Sequence, residues 1–167
     1  MKTILRDGQP VADDTWQYVA DDEPLPAGDV IVSLARWRAE REQLLQRPGR
    51  LGVCLQPEEA AEDIVDDLAH FAAIAIAFPV FKDGRGLTTA RLLRERYHYA
   101  GDIRATGDVL VDQLFFMQRV GINVLELRED QVLEDALAAL RAFTTRYQPA
   151  VDEPLPLYRR RQIQTVP

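Results

Sequence analysis

The chain has little cysteine and little histidine, and this scarcity excludes several classes of site. Its one cysteine, Cys54, rules out an internal disulfide and any iron–sulfur or zinc site built only from cysteines of a single chain. The two histidines, His70 and His98, stand at no spacing that indicates a metal pair. We therefore predict no metal site. The sequence also lacks a residue set for siroheme or a dithiol and a fingerprint for flavin or nicotinamide, so it assigns no cofactor.

Long apolar runs and an excess of positive charge are absent as well. The longest apolar run, residues 71–81, is interrupted by Pro79 and is far shorter than the about 20 residues that a membrane span requires. The first seven residues contain no apolar core of a signal peptide. With 47% hydrophobic residues, 28% charged residues and a net charge of −7, we expect a cytoplasmic globular protein without a membrane or nucleic-acid partner.

Positive charge is nevertheless concentrated in the middle of the chain. Residues 78–121 hold seven Lys/Arg and five Asp/Glu, a net charge of +2, so the rest of the chain carries −9. A basic island in an acidic chain attracts a small anionic ligand. Alternatively, its arginines decorate the exposed side of one helix, which is the better interpretation for Arg91, Arg94 and Arg96.

The regular part of the chain alternates between strand and helix patterns. Five βα units with short connections predict an α/β fold with a mainly parallel sheet, which is either an open three-layer sheet or a partial barrel. We predict strands near 30–33, 51–55, 72–78, 102–106 and 122–127, followed by helices near 34–45, 58–71, 88–97, 108–120 and 130–143.

The domain organisation follows from this pattern. Residues 1–28 form an N-terminal hairpin or arm with a connector, because a turn signal at 7–8 separates two strand-like stretches. Residues 29–147 form a single α/β domain. Residues 148–167 contain four prolines and no periodicity, and we predict an extended or disordered tail there.

The first candidate site is the turn after the third predicted strand, with Asp83, Arg85, Gly86 and Thr88. Such a turn lies at the edge where open α/β sheets place their ligands. Gly86 lets the backbone approach a ligand, Thr88 begins a helix whose N-terminus favours an anion, and Arg85 clamps a sulfo, phospho or carboxylate group. Asp83 moves a proton in this interpretation. In the alternative, Asp83 accepts backbone hydrogen bonds and Arg85 pairs with a neighbouring acid.

The second candidate site follows the next strand and contains Arg104, Asp108, Asp112, Gln113 and Arg119. The spacing of Asp108, Asp112 and Arg119 places them on one helical face. Arg104 binds an anion here, and Asp108 acts as a general base or holds Arg104 in place. The alternative is a solvated strip in which Asp108 caps the helix. For both sites, parallel neighbouring strands would bring the side chains to the same edge.

These residues resemble one bacterial family of domains of unknown function. Its members carry the description of oxidoreductases involved in sulfite reduction and are typically encoded beside assimilatory sulfite reductase. The resemblance extends from the strand at residue 31 to residue 148 and includes a short motif at residues 156–159 of the tail. It rests on Phe78-Pro79, Phe81, Asp83-Gly84-Arg85-Gly86, residues 90–96, Gly101-Asp102-Ile103-Arg104-Ala105, Gly107-Asp108-Val109-Leu110, Asp112-Gln113, Met117, Arg119, Gly121 and Pro156-Leu157-Tyr158-Arg159.

The resemblance implies an accessory protein of assimilatory sulfite reduction. In this interpretation the strand edge binds a small anion or sulfite reductase itself. The alternative is an enzyme, possibly an oxidoreductase, that acts on a sulfo-, phospho- or carboxylate-bearing small molecule. A third interpretation is an interaction module whose contact is carried by the acidic helix at 58–71 or by Arg159-Arg160-Arg161. Members of the family often have a cysteine at the position of Val120, so redox chemistry through that cysteine does not apply to this chain.

Overall fold

The computed structural model describes residues 3–164 and contains one eight-stranded sheet. Residues 1–2 of the predicted arm and 165–167 of the predicted tail lie outside the described residues. The strands lie in the order β2-β1-β8-β7-β6-β5-β4-β3. Their bounds are β1 Ile4–Arg6, β2 Gln9–Pro10, β3 Gln17–Tyr18, β4 Val30–Ser33, β5 Leu51–Leu55, β6 Ala73–Phe78, β7 Asp102–Gly107 and β8 Val124–Glu126.

Strands β3 to β8 are parallel, and each pairs with the next strand along the chain. Each connection between these strands is a right-handed crossover to the neighbouring strand on the same side. Successive crossovers of this kind place all connecting helices on one face of the sheet. The sheet is therefore a curled half-barrel and not an open three-layer sheet, which resolves the two predicted alternatives. The predictions of a mainly parallel α/β sheet and of an N-terminal hairpin are confirmed, and the hairpin is the antiparallel pair β1–β2. The predicted number of five βα units is only approximately right.

The two faces of the sheet differ in what they bury. Side chains that point to the outer, helical face form the main apolar core and are large, as at Val53, Ile76 and Ile103. The alternate positions point to the inner, concave face, where a small second cluster contains Trp16 and Ile31 with two alanines of β6. This period of two is the side-chain alternation of a strand covered on both faces.

The helices follow the predicted order with shifted bounds. They are α1 Leu34–Gln46, a 3₁₀ helix Ala61–His70, α2 Arg85–Glu95, a short 3₁₀ turn Val111–Gln113, α3 Leu114–Arg119, α4 Leu133–Leu140 and α5 Leu157–Gln164. The long 3₁₀ helix replaces a predicted helix over 58–71. Its two buried residues, Ala61 and Ile64, are three positions apart, and residues three apart share one side of a 3₁₀ helix.

Helix α2 begins earlier than the sequence suggested. Gly84 is its N-cap residue, so Thr88 lies inside the helix and is exposed, and the prediction that Thr88 begins the helix is wrong. Gly86 is buried because α2 packs closely on β6. A Cβ atom there would lie 2.6 Å from Ile76 Cγ2 and 2.9 Å from Phe78 Cζ. Gly86 therefore permits the approach of helix and sheet.

Two other regions differ from expectation. Arg94 is partly buried and donates to the backbone oxygens of Tyr99, Gly101 and Gly121, at 2.6, 2.7 and 3.0 Å, so it does not decorate the surface of its helix. Within the predicted extended tail, residues Leu157–Gln164 form helix α5. Among residues 3–164, no helix has both the length and the apolar character needed to cross a membrane.

The close packing of α2 on β6 predicts the effect of a methyl group at position 86. Gly86→Ala should lower the free energy of unfolding by about 1–3 kcal/mol, because the helix or the two β6 side chains must move. Urea unfolding measures this change. Gly84→Ala is the matched control, since a Cβ there meets only Leu87 Cδ1 at 3.9 Å. Equal stability of the two variants would contradict the packing argument.

Candidate functional site

The carboxyl ends of β6 and β7 lie side by side, as the sequence predicted for the two candidate turns. Phe78 pairs with Gly107, and the amide of Asp108 donates to the Phe78 carbonyl oxygen at 2.7 Å. Gly107 has a φ of +99°, and a Cβ atom there would lie 2.4 Å from the same oxygen. Only glycine fits this junction, which fixes where both turns leave the sheet.

Asp83 and Arg85 bind each other in the turn after β6. Arg85 Nε and Nη2 donate to the two carboxylate oxygens of Asp83 at 2.9 and 2.6 Å, and Glu58 Oε1 lies 3.6 Å from Arg85 Nη2. The hydrogen bonds from Arg85 hold the pKa of Asp83 below its ordinary value. Asp83 is therefore a weaker proton acceptor than a free carboxylate, and its oxygens occupy the fork of Arg85.

Asp108 pairs with an arginine that sequence reasoning missed. Arg128 Nη1 lies 3.3 Å from Asp108 Oδ1, while Arg128 Nε and Nη2 donate to the Asp130 carboxylate, both at 2.7 Å. Asp108 does not cap a helix, because the next helical turn begins at Val111. Arg128 follows β8, the strand beside β7, so the strand-end argument applied to the fifth predicted strand would have found it.

The same edge carries exposed apolar side chains. Val80 and Phe81 in the turn after β6 are 54% and 45% exposed. Gln113 Nε2 donates to the Phe81 carbonyl oxygen at 3.2 Å and ties this turn to the segment after β7, where Asp112 is exposed. We call this region the edge surface. It comprises Val80, Phe81, Asp83, Arg85, Asp108, Gln113 and Arg128.

Arg104 does not lie on the edge surface. It lies on the concave face of β7 and is fully buried. Its Nη1 and Nη2 donate to the two carboxylate oxygens of Asp14 at 3.0 and 2.7 Å, and its Nε donates to Glu126 Oε1 at 2.9 Å. Arg104 is thus enclosed on the concave face, whereas Arg85 lies on the exposed edge, and each pairs with a different carboxylate. The structure does not bring the two arginines together.

The carboxylate of Glu126 also binds the remaining side chains of a partly buried network around Arg104. Tyr18 donates its hydroxyl hydrogen bond to Glu126 Oε1, and Thr106 Oγ1 lies 3.0 Å from Oε2. Burial and the charge of Glu126 raise the pKa of Tyr18. Burial alone would lower the pKa of Arg104, but its hydrogen bond with Asp14 and the charge of Glu126 outweigh this and raise it. Tyr18 therefore remains a hydrogen-bond donor and Arg104 remains charged at neutral pH. Both properties suit a structural role in which these side chains hold the arm and the strands together.

Arg119 lies on the helical side, at the end of α3. Its Nη2 donates to the Gln148 backbone oxygen and its Nη1 lies 3.3 Å from Asp152 Oδ1, so it anchors the segment after α4. The predicted shared face of Asp108, Asp112 and Arg119 is wrong, because the helical turns begin only at Val111 and change from 3₁₀ to α at Leu114.

Cys54 points to the concave face from β5. Burial raises the pKa of its thiol to about 12. Gln56 Nε2 lies 3.8 Å from its sulfur. Among the residues that the structure describes, no group of three or more His, Cys, Asp and Glu side chains is placed to hold a metal ion.

The buried network predicts a large cost for removing its arginine. Arg104→Ala removes the positive charge that faces the buried Glu126 carboxylate and Asp14, and should lower the free energy of unfolding by about 3–5 kcal/mol. Arg38→Ala is the control, because the Arg38–Asp63 pair is exposed and such pairs contribute about 0–1 kcal/mol. Urea denaturation followed by circular dichroism compares the two, and similar losses would show that the Arg104 pairs behave like surface pairs.

The raised pKa of Cys54 predicts slow alkylation. The thiolate is the reactive form, so at pH 8 the folded protein should react with iodoacetamide much more slowly than the urea-unfolded chain. Mass spectrometry of timed samples gives both rates. A folded rate equal to the unfolded rate would mean that the thiol is neither buried nor shifted in its pKa.

Comparison with known proteins identifies the family but no activity. Residues 52–158 match the family model described as a bacterial protein of unknown function, DUF934. Comparison with curated proteins finds no match. The matched range runs from β5 to the start of α5 and contains the whole edge surface together with Arg104 and Arg119. Because this match covers more than half of the chain, the chain belongs to the DUF934 family.

Proposed function

We propose that this protein is an accessory protein of assimilatory sulfite reduction that docks through its edge surface on a partner protein, sulfite reductase. The observation that carries the docking proposal is the composition of the edge surface: Val80 and Phe81 are exposed beside arginines whose charges are already paired. The link to sulfite reduction comes from the resemblance of the motif residues, since membership of DUF934 by itself assigns no pathway.

The arrangement has the anatomy of a protein interface. Interfaces combine an apolar centre with a polar rim and are enriched in aromatic residues and arginine. Here Phe81 supplies the aromatic side chain, and the Arg85–Asp83 and Arg128–Asp130 pairs supply charged groups with fixed directions. Exposed pairs of this kind contribute only about 0–1 kcal/mol to stability, so the fold itself gives little reason for them. Fixed charges do lower the cost of ordering side chains when a partner binds.

A small-anion site is supported less well. An anion at Arg85 must displace the two Asp83 oxygens that already occupy the guanidinium, and Arg104 is enclosed by Asp14 and Glu126. The enzyme alternative assigns proton transfer to Asp83 or Asp108. The lowered pKa of Asp83 and its two hydrogen bonds with Arg85 disfavour that role for Asp83. The edge surface therefore favours docking.

The docking proposal predicts that a charge at position 81 weakens binding to sulfite reductase. Phe81→Asp places an unpaired carboxylate in the apolar part of the edge surface and should weaken binding by about tenfold or more. Biolayer interferometry with purified sulfite reductase measures the affinity. Leu45→Asp is the matched control, because Leu45 on α1 has a similar exposure, 42%, and lies outside the edge surface.

Two outcomes would overturn the proposal. If the unaltered protein does not bind sulfite reductase, or if both variants bind equally well, docking does not use the edge surface. A rise in melting temperature with sulfite, sulfate or phosphate that disappears in Arg85→Ala would replace docking with a small-anion site, because a ligand stabilises the state to which it binds.

A further inference from the structure

A second surface lies on the helical side of the molecule, away from the strand ends. It is a groove of about 450 Å³ between α2, α3 and the segment that follows α4. We call it the outer groove. Three arginines and no carboxylate line it, in a chain whose net charge is −7. Its lining residues are Arg91, Phe115, Phe116, Arg119, Val120, Phe143, Thr145, Arg146, Tyr147, Gln148, Pro149 and Ala150.

The outer groove is held open by specific contacts. Arg119 and Arg146 both pair with Asp152, at 3.3 and 2.8 Å, and this fixes the segment after α4 against α3. The rings of Phe115 and Phe143 lie 4.9 Å apart, and the Arg146 guanidinium lies 5.7 Å from the Phe115 ring centre. The walls are therefore built from both elements and joined by these contacts.

The aromatic side chains of this surface are unusually exposed. Phe116, Phe143 and Tyr147 are 56%, 60% and 77% exposed. Three large rings around one groove form a contiguous apolar patch, and such patches mark interaction sites more often than single exposed residues do. The high exposure of these three rings shows that the groove is shallow, and most of the ring area is free to contact a partner. A macromolecular segment covers such a surface better than a small molecule, which needs an enclosed pocket.

The charge around the outer groove selects the kind of segment. Residues 141–161 contain five arginines and two acidic residues, a net charge of +3. Helix α5 brings part of this charge beside the groove, since the Leu157 amide donates to the Tyr147 oxygen at 3.3 Å and Arg160 donates to the Arg146 oxygen. Arg119 is also buried at the groove, where its Nη1 pairs with Asp152, and the 58% exposed Arg91 pairs with Glu95 through Nε alone. A positive patch on an acidic protein complements an acidic partner.

We propose that the outer groove binds an acidic segment of a partner protein that carries an aromatic or aliphatic anchor side chain. The anchor packs against Phe116, Phe143 and Tyr147, and the carboxylates of the segment face Arg91 and Arg146. This site is independent of the edge surface, because it uses α2, α3 and the chain after α4 and none of the residues at the strand ends.

Selection from a random peptide phage library on the full chain tests the proposal. The selected peptides should be acidic and should share one large apolar position. Their synthetic versions should bind about tenfold or more weakly to Phe116→Asp and to Arg91→Glu, and binding should weaken as the salt concentration rises. Arg38→Glu is the matched control, because the Arg38 and Arg91 side chains are both 58% exposed and both pair with one carboxylate.

The results that would overturn the proposal are separate from those that concern sulfite reductase. Peptides without acidic residues, no selected peptides, or equal binding by Phe116→Asp would exclude an acidic-segment site. Tighter binding of a single-stranded DNA oligonucleotide than of the selected peptides would assign the groove to nucleic acid instead. Phe81→Asp should bind the selected peptides as the unaltered protein does. A loss there would mean that the two surfaces are not independent.

Discussion

The guanidinium of Arg104 joins parts of the chain that the sheet keeps far apart. It pairs with the carboxylate of Asp14 in the N-terminal arm and with that of Glu126 in the last strand. Tyr18 then reaches Glu126 from β3, although four strands of the sheet separate β3 from β8. That hydrogen bond forms only if the sheet curls, so the half-barrel and the buried network depend on each other.

The size of the neighbouring side chains makes this curl possible. β5 and β6 present Gly52, Ala73 and Ala75 to the concave face, and these leave room for the ring of Trp16. A Cβ atom at Gly52 would lie 3.3 Å from Trp16 Cζ3. The N-terminal arm can therefore pack into the curved sheet and bring Asp14 to Arg104. The arm thus fills the part of the concave face that lies beside β5 and β6.

The sequence predicted features that depend on local periodicity. The strand–helix alternation, the parallel strands and the shared edge of the turns at Asp83 and Asp108 all follow from patterns a few residues long. The contact of Arg104 with Asp14 joins positions 90 residues apart, and no local pattern marks it. Arg119 is similar, because its partner Asp152 lies in a stretch without periodicity. The predicted roles of Arg104 and Arg119 required that both side chains be accessible to solvent. Their partners, which are distant in sequence, bury both side chains instead.

The pairing of β1 with β8 has a consequence for how the chain reaches this structure. Leu5 pairs with Leu125, so a strand near the start of the described chain completes the sheet only after the last strand exists. During synthesis on the ribosome, β3 to β7 can assemble stepwise, whereas β1 must wait for β8, and the side chain of Leu5, which is fully buried in the native structure, stays uncovered until then. Contacts of such large sequence separation slow folding. Throughout that interval β8 has an unpaired edge and Leu5 is exposed, and unpaired edges and exposed apolar surface of this kind make incomplete structures prone to aggregation.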